Sequence, residues 1–306
     1  MRIEKIKIGA VIPVQKYGNL QPEIEISSDD RGEDLLAAGM DVIKGLFSQY
    51  SEVGGLEEKD IVSSVSVKLL KKSFNEDVVI EFEPIAHTYT YQDKQLTGAT
   101  DYTKRFYKPF DADTISSVLE SKWGVPQKVI KDLWDANGTL ASDFGSVVHQ
   151  ALENFDKFKE YGDIISSQQK EEKNYCLPKH PVLRQIVEGF IAIDNKGGVI
   201  VPEALISDVK KGICGHADRV RIIDKEKKIC DVEDYKINID SETAKKELKP
   251  LDPFKELPSN KLSKYQLQMS IYANMLQSSG WQVNKLVVYV YEDIWKKYEL
   301  EVLKVI

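Results

Sequence analysis

Cysteine is scarce in this sequence: three residues in 306, at Cys176, Cys214 and Cys230. The number is odd, the spacings are long and no CxxC pair occurs, which disfavours a disulfide framework and a zinc knuckle. A four-cysteine iron–sulfur cluster is excluded by count. What remains is the reading of reduced, partly buried thiols in a cytoplasmic protein. No apolar run approaches the roughly 18 residues that a membrane helix needs, so no membrane partner is expected. The opening stretch MRIEKIKIGAVIPV alternates polar and apolar residues and soon meets a proline. It lacks an apolar block with a small-residue cleavage site, so it does not read as a secretory signal. Positive charge is short as well: 42 Lys and Arg stand against 49 Asp and Glu, a net charge of −7. That balance argues against a protein that coats nucleic acid non-specifically. It leaves open an enzyme with a local basic groove. Internal repeats and low-complexity tracts are also missing.

What is present is the composition of a soluble globular protein, 42% hydrophobic and 30% charged. The length allows one large domain or two modest ones. The first part reads as a small α/β module over residues 1–76. Ile6 and Ile8, then Ile24 and Ile26, alternate with charged residues at the period of a strand. Leu36, Met40, Ile43, Phe47 and Tyr50 fall on one helix face, and a second helix is expected from Ile61 to Phe74. A boundary is placed near residues 76–80, and residues 77–306 form the second domain. There VVIEFEP and HTYTYQDKQLTGATDYT read as strands, with His87, Tyr89 and Tyr91 on one face. Helices are expected at Asp113–Lys122, Gln127–Ala136, about Ser142–Tyr161 and, after a lysine-rich connector, Pro181–Ile193. Then come three strands, GVIVPEALIS, GICGHADRVRIID and KICDVEDYKIN. A polar loop or lid from Asp240 to Asn260, a helix KLSKYQLQMSIYANMLQ and a strand pair complete the chain. Three consecutive strands are not a simple βαβ alternation, so a mixed sheet flanked by helices is expected.

The strand CDVEDYKIN carries more charge than a buried strand tolerates without a partner or a metal. Strand parity puts Asp234 and Lys236 on one face and Glu233 on the other. If the strand of GHADRV is its hairpin neighbour, Asp218 and Asp234 converge. Two such carboxylates repel unless a cation lies between them, and hard oxygen ligands suit Mg²⁺ or Mn²⁺. Lys236 would project toward the same site, where an ammonium can orient a water or neutralise charge on a phosphate.

This pattern resembles the PD-(D/E)XK nuclease superfamily, and within it the RecB-like exonucleases of phage and bacteria. KDLWDANGTLASDFGSVVHQALE is similar to the first motif of that branch, with Trp134, Gly145 four residues before His149, and Glu153 one turn later. GHAD, DYK and QLQMSIY follow in the family's order. The resemblance implies a restriction-endonuclease-like αβββαβ core over roughly residues 80–306. It implies a metal held by His149, Asp218, Asp234 and the backbone carbonyl of Tyr235, with Lys236 as the catalytic lysine beside Asp218 and Asp234. Glu203 of VPEALIS takes the place of a metal ligand or a support of the site, against the alternative of an exposed strand glutamate. Gln268 and Tyr272 form the QxxxY motif, read as positioning residues on one helix face. The implied activity is metal-dependent hydrolysis of DNA phosphodiesters, leaving a 5′-phosphate and a 3′-hydroxyl, in DNA processing, recombination or degradation. Neither exonuclease nor endonuclease action follows from the residues.

The rival reading is a DNA- or protein-binding module that keeps the nuclease-like fold without significant catalysis. Lys245, Lys246, Lys255, Lys261 and Lys264 line a DNA path or are solvated surface. Lys104, Arg105 and Lys108, interleaved with Tyr102, Phe106 and Tyr107, suit base stacking as well as core packing. His216 reads as a neighbour of the site rather than a ligand, His87 and His180 as structural or surface residues, and Glu233 as half of a salt bridge. For the N-terminal module, a recombination or replication partner, single-stranded DNA and self-association all stay open.

Overall fold

A computed structural model of the chain describes residues 3–9, 12–15, 18–20, 23–27, 66–84, 86–161, 180–194, 197–237, 245 and 248–306. The expected helix carrying Leu36, Met40 and Phe47 lies outside the described residues. So do the lysine-rich connector with Cys176, and Lys246. The chain divides into two compact units, Met1–Gly98 with Leu205–Gly215, and Ala99–Ala204 with His216–Ile306.

The first unit contains strands β1 (Ile3–Gly9), β2 (Ile12–Gln15), β3 (Gly18–Leu20), β4 (Glu23–Ser27), β5 (Ser66–Lys72), β6 (Val79–Glu83), β7 (Thr88–Tyr91) and β8 (Lys94–Gly98). Six of them form a sheet in the order β4–β1–β5–β6–β7–β8, with every neighbouring pair antiparallel. The residue range expected to close the first domain, near 76, is the turn between β5 and β6. Here Asn75 and Glu76 hold the returning chain: the Asn75 amide donates to the Ser207 carbonyl at 2.8 Å, and the Glu76 carboxylate accepts from the Ser207 hydroxyl at 2.7 Å.

The second unit contains helices α1 (Ala99–Lys104), α2 (Ala112–Trp123), α3 (Gln127–Tyr161) and α4 (Pro181–Ile193), and strands β9 (Val199–Asp208), β10 (Ile213–Asp224) and β11 (Ile229–Ile237). Helix α5 (Lys261–Ser278) and strands β12 (Gln282–Tyr291) and β13 (Trp295–Leu300) complete it. The end of β9 and the start of β10 belong to the first unit. From α4 to β12 the elements run helix, three strands, helix, strand, as the sequence patterns indicated. The strand order is β13–β12–β11–β10, with β9 also paired to β10. β11 lies parallel to β12 and antiparallel to β10, so the sheet is mixed and the fold is α/β. A parallel pair cannot be closed by a tight turn and needs a long crossover, which α5 provides. That helix starts where Asn260 accepts the Ser263 N–H at 3.0 Å and satisfies one of its free donors.

One face of this sheet packs Tyr235 and Tyr289 against Val148 and Leu152 of α3 and Ile186 and Phe190 of α4. Trp295 closes the cluster and donates its indole N–H to the Ile186 carbonyl at 2.7 Å, as a buried indole must. β11 is buried on both faces, which explains its near-continuous buried character. Cys214 and Cys230 are buried free thiols, and burial pushes the Cys230 thiol up to about 12. Among the described residues no helix is long and apolar enough to cross a membrane.

Some local expectations are corrected. The helix expected over Ile61–Phe74 is, in its described part, strand β5, because Ser66–Lys72 is paired on both edges, with β1 and β6. Ladder hydrogen bonds on two sides override a weak helical period. The two helices expected between Gln127 and Tyr161 are one, α3. Gly138 inside it is open to space rather than at a turn, and a single glycine weakens a helix by about 1 kcal/mol without breaking it. The strand expected through Thr103 ends at Gly98, where α1 begins. His87 precedes β7, at a left-handed φ of 51°, instead of sharing a strand face with Tyr89.

Gly198, just before β9, has φ 112°, and a Cβ there would lie 2.8 Å from the Ile222 carbonyl oxygen. Gly198→Ala is therefore expected to destabilise the protein by about 1–3 kcal/mol, the scale of one strained backbone position. Urea unfolding measures this directly, and an unchanged midpoint would contradict it.

Candidate active site

Asp218, Asp234, Lys236 and His149 come together where β10 and β11 part. The ladder between the strands pairs Arg219 with Glu233 and continues to Asp224 and Ile229. One residue beyond its end, the Asp218 carboxylate accepts the Tyr235 backbone N–H at 3.0 Å. A side chain thus takes the place of the next strand bond, and the two strands separate there. In a strand, the N–H and C=O of one residue leave from the same edge, so the Tyr235 carbonyl also points toward this opening.

Asp234 is buried at 4% exposure. Burial, then the charge of Asp218, push its carboxyl up to about 7, against the opposing pull of Lys236. The Lys236 ammonium lies 2.5 Å from Asp234 Oδ1. Burial disfavours its charge, but Asp234 and Asp218 outweigh that and hold it well above the ordinary lysine range. His149, from α3, sits with Nδ1 3.4 Å from Asp218 Oδ2. Burial, helped by Lys236, lowers its pKa to about 4. The ring is therefore neutral at physiological pH, the form that can coordinate a metal. A hydrogen bond with the Tyr235 backbone opposes the shift by raising the imidazole pKa, which marks that backbone group as an acceptor.

Four of the sequence-predicted donors, His149, Asp218, Asp234 and the Tyr235 backbone, thus meet at one opening. Among the described residues no three His, Cys, Asp or Glu side chains stand as a ready metal-holding group. At this opening the Lys236 ammonium neutralises Asp234 directly. Two carboxylates, Asp218 raising the pKa of Asp234, beside a neutral imidazole still form a donor set of the right chemistry for a hard divalent cation. The residues present fit such an ion.

The remaining expected residues are placed as follows. Gln268 and Tyr272 of α5 line a small pocket with Asp218, Asp234 and Met269, and the Gln268 amide donates to the Thr100 hydroxyl at 3.2 Å. Glu203 is half-buried on β9 with φ 47°. His216 lines the same pocket as Asp218. Lys255 pairs with Asp252 at 3.3 Å and Lys104 with Asp101 at 2.7 Å. Arg105 stacks on Tyr102 at 4.5 Å.

Sequence reasoning missed Tyr265. Its ring lies 4.9 Å from the Lys236 ammonium, a cation–π contact that holds the lysine over the opening. Tyr265 stands three residues before Gln268, hence on a neighbouring position of the same helix face, and that spacing was the available signal. Also missed was the destination of Glu233. It is fully buried and accepts from Arg219 Nη1 at 2.8 Å and Arg221 Nε at 2.6 Å. The alternating arginines of DRVR, facing Glu233 across the hairpin, carried that signal.

Comparison of the sequence with models of known protein families and with curated proteins finds no match.

Proposed function

We propose that this chain is a Mg²⁺- or Mn²⁺-dependent DNA nuclease of the RecB-like type, with a restriction-endonuclease-like core. The observation that carries this reading is the meeting of Asp218, Asp234, Lys236 and His149 at the point where two antiparallel strands part. Element order adds support: the aspartates lie on the second and third strands of a helix, three strands, helix, strand series.

In this reading His149, Asp218, Asp234 and the Tyr235 carbonyl hold the metal. When bound, the ion supplies a water of lowered pKa and stabilises the extra charge on the scissile phosphate. With an ion held there, Asp234 would share its charge between the ion and Lys236. The Lys236 ammonium, beside the Tyr265 ring, orients the attacking water or neutralises charge that develops on the phosphate. Gln268 and Tyr272 border the pocket on the α5 side and position the DNA strand. The products are a 5′-phosphate and a 3′-hydroxyl.

The test is a metal titration against labelled linear and circular DNA, each single- and double-stranded. Cleavage that requires Mg²⁺ or Mn²⁺ and stops with chelator is expected. A requirement for ends would make it an exonuclease, while nicking of circles would make it an endonuclease. DNA binding without cleavage at any metal concentration would reject the enzyme in favour of a binding module.

A further inference from the structure

Behind the opening, on the α3 and α4 side of the sheet, lies a fully enclosed set of charges that the proposed chemistry does not use. Arg219 and Arg221 are 0% and 1% exposed. Arg219 donates from Nη2 to Asp156 Oδ1 at 3.0 Å and to Asp194 Oδ2 at 2.8 Å, and from Nη1 to Glu233 Oε2 at 2.8 Å. Arg221 donates to Asp194 Oδ1 at 2.5 Å and binds both oxygens of Glu233, at 2.6 and 3.1 Å. The Tyr235 hydroxyl, on the same face, donates to Asp156 Oδ2 at 3.0 Å.

Arg219, Glu233, Tyr235 and Asp156 are each tied by the backbone to one of the groups at the opening. Arg219 follows Asp218 on β10. Glu233 and Tyr235 flank Asp234 on β11. Asp156 stands seven residues, or two helical turns, after His149 on α3. A strand alternates faces, so a residue fixed on one face sets where its neighbour points on the other. Locking Arg219, Glu233, Tyr235 and Asp156 to one another therefore sets the spacing of three separate elements. Planar guanidinium groups suit this task, because paired N–H donors fix orientation as well as distance. The apolar alternative would fill the same space, but it would leave the strands free to slide by fractions of an ångström, and metal ligands do not tolerate that.

We infer that the Arg219–Glu233–Asp156–Tyr235 network is a positioning device that holds Asp218, Asp234 and His149 at the separation a divalent cation needs. This inference rests on the nuclease reading of the opening. Its side chains touch neither metal nor DNA; they act through the residues and backbone beside them.

Removing Arg219 threatens the fold, so the decisive variant is Tyr235→Phe. It deletes the hydroxyl bond between β11 and α3 and keeps the ring and the backbone carbonyl. Leu276→Val, a small core truncation near the far end of α5, serves as the control for stability loss alone. Mn²⁺ affinity of the full chain is measured by calorimetry without DNA, alongside thermal unfolding in chelator. The expected result is a weakening of Mn²⁺ binding by about 10–100-fold in Tyr235→Phe, the scale of losing an outer partner of a metal site, and unchanged binding in Leu276→Val. Wild-type binding that Tyr235→Phe leaves unaltered, despite a lowered unfolding temperature, would make the network merely structural and overturn the inference alone. A wild type that binds no Mn²⁺ would overturn the nuclease reading and this inference together.

Discussion

Asp234→Asn is expected to abolish DNA cleavage and leave the fold as stable as the parent or more so, whereas Lys236→Ala abolishes cleavage and weakens the fold. Both lose a group in contact with the reacting centre of the proposed nuclease, and a loss of about 10²–10³-fold or more follows for a preorganised electrostatic contribution. Their stabilities differ because of how charge is balanced at the opening. Two carboxylates, Asp218 and Asp234, stand with one ammonium, Lys236, 2.5 Å from Asp234. Asn keeps the size of Asp and leaves one carboxylate with one ammonium. Ala at position 236 leaves the buried Asp234 beside the partly buried Asp218 without the ammonium that balances them, at a loss of about 1–3 kcal/mol or more. The double variant should regain most of that loss. Urea unfolding in chelator, together with cleavage in Mg²⁺, reads both quantities. Cleavage within tenfold of wild type in Asp234→Asn would sink the assigned chemistry, and a stable Lys236→Ala would sink the charge balance.

Arg219→Ala is expected to cause the largest loss of stability of any single change at the sheet, about 3–5 kcal/mol, the scale of breaking a buried ion pair. One guanidinium meets Asp156, Asp194 and Glu233, and all four side chains are 3% exposed or less. Without it those carboxylates face one another in a medium that hydrates none of them. Arg221 could shield only part of that charge: it reaches Asp194 and Glu233, while Asp156 would keep the Tyr235 hydroxyl alone among the contacts described above. In a double-mutant cycle, Arg219→Ala with Glu233→Ala should lose less than the sum of the single losses, since the second change removes a charge that the first strands. Denaturant unfolding of the four proteins decides it. A loss below about 1 kcal/mol for Arg219→Ala would mean that the network contributes little to folding.

Much of this molecule follows from local pattern. The apolar face of α4, and the apolar runs of the three strands after it and of the helix of QLQMSIY, are legible in local pattern because burial dominates those segments. Strand parity alone separates Asp234 and Lys236 from Glu233, and in the structure Glu233 lies on the side of Arg219 and Arg221 while Lys236 lies under Tyr265. The order in which His149, Asp218, Asp234 and Lys236 occur is likewise a property of the chain.

Other features needed the third dimension. Ser66–Lys72 has a pattern compatible with a helix, and only partners on both edges make it a strand. The approach of α3 to the end of the β10–β11 ladder joins residues 69 positions apart, Asp218 and His149, and no period encodes that. Where the two strands part, the Asp218 side chain, not a strand partner, takes the Tyr235 N–H. The charge in CDVEDYKIN is a fact of sequence; its neutralisation belongs to tertiary structure. Composition fixes how many charges a chain carries, but whether a buried one is stable depends on which opposite charges the fold delivers within about 3 Å of it.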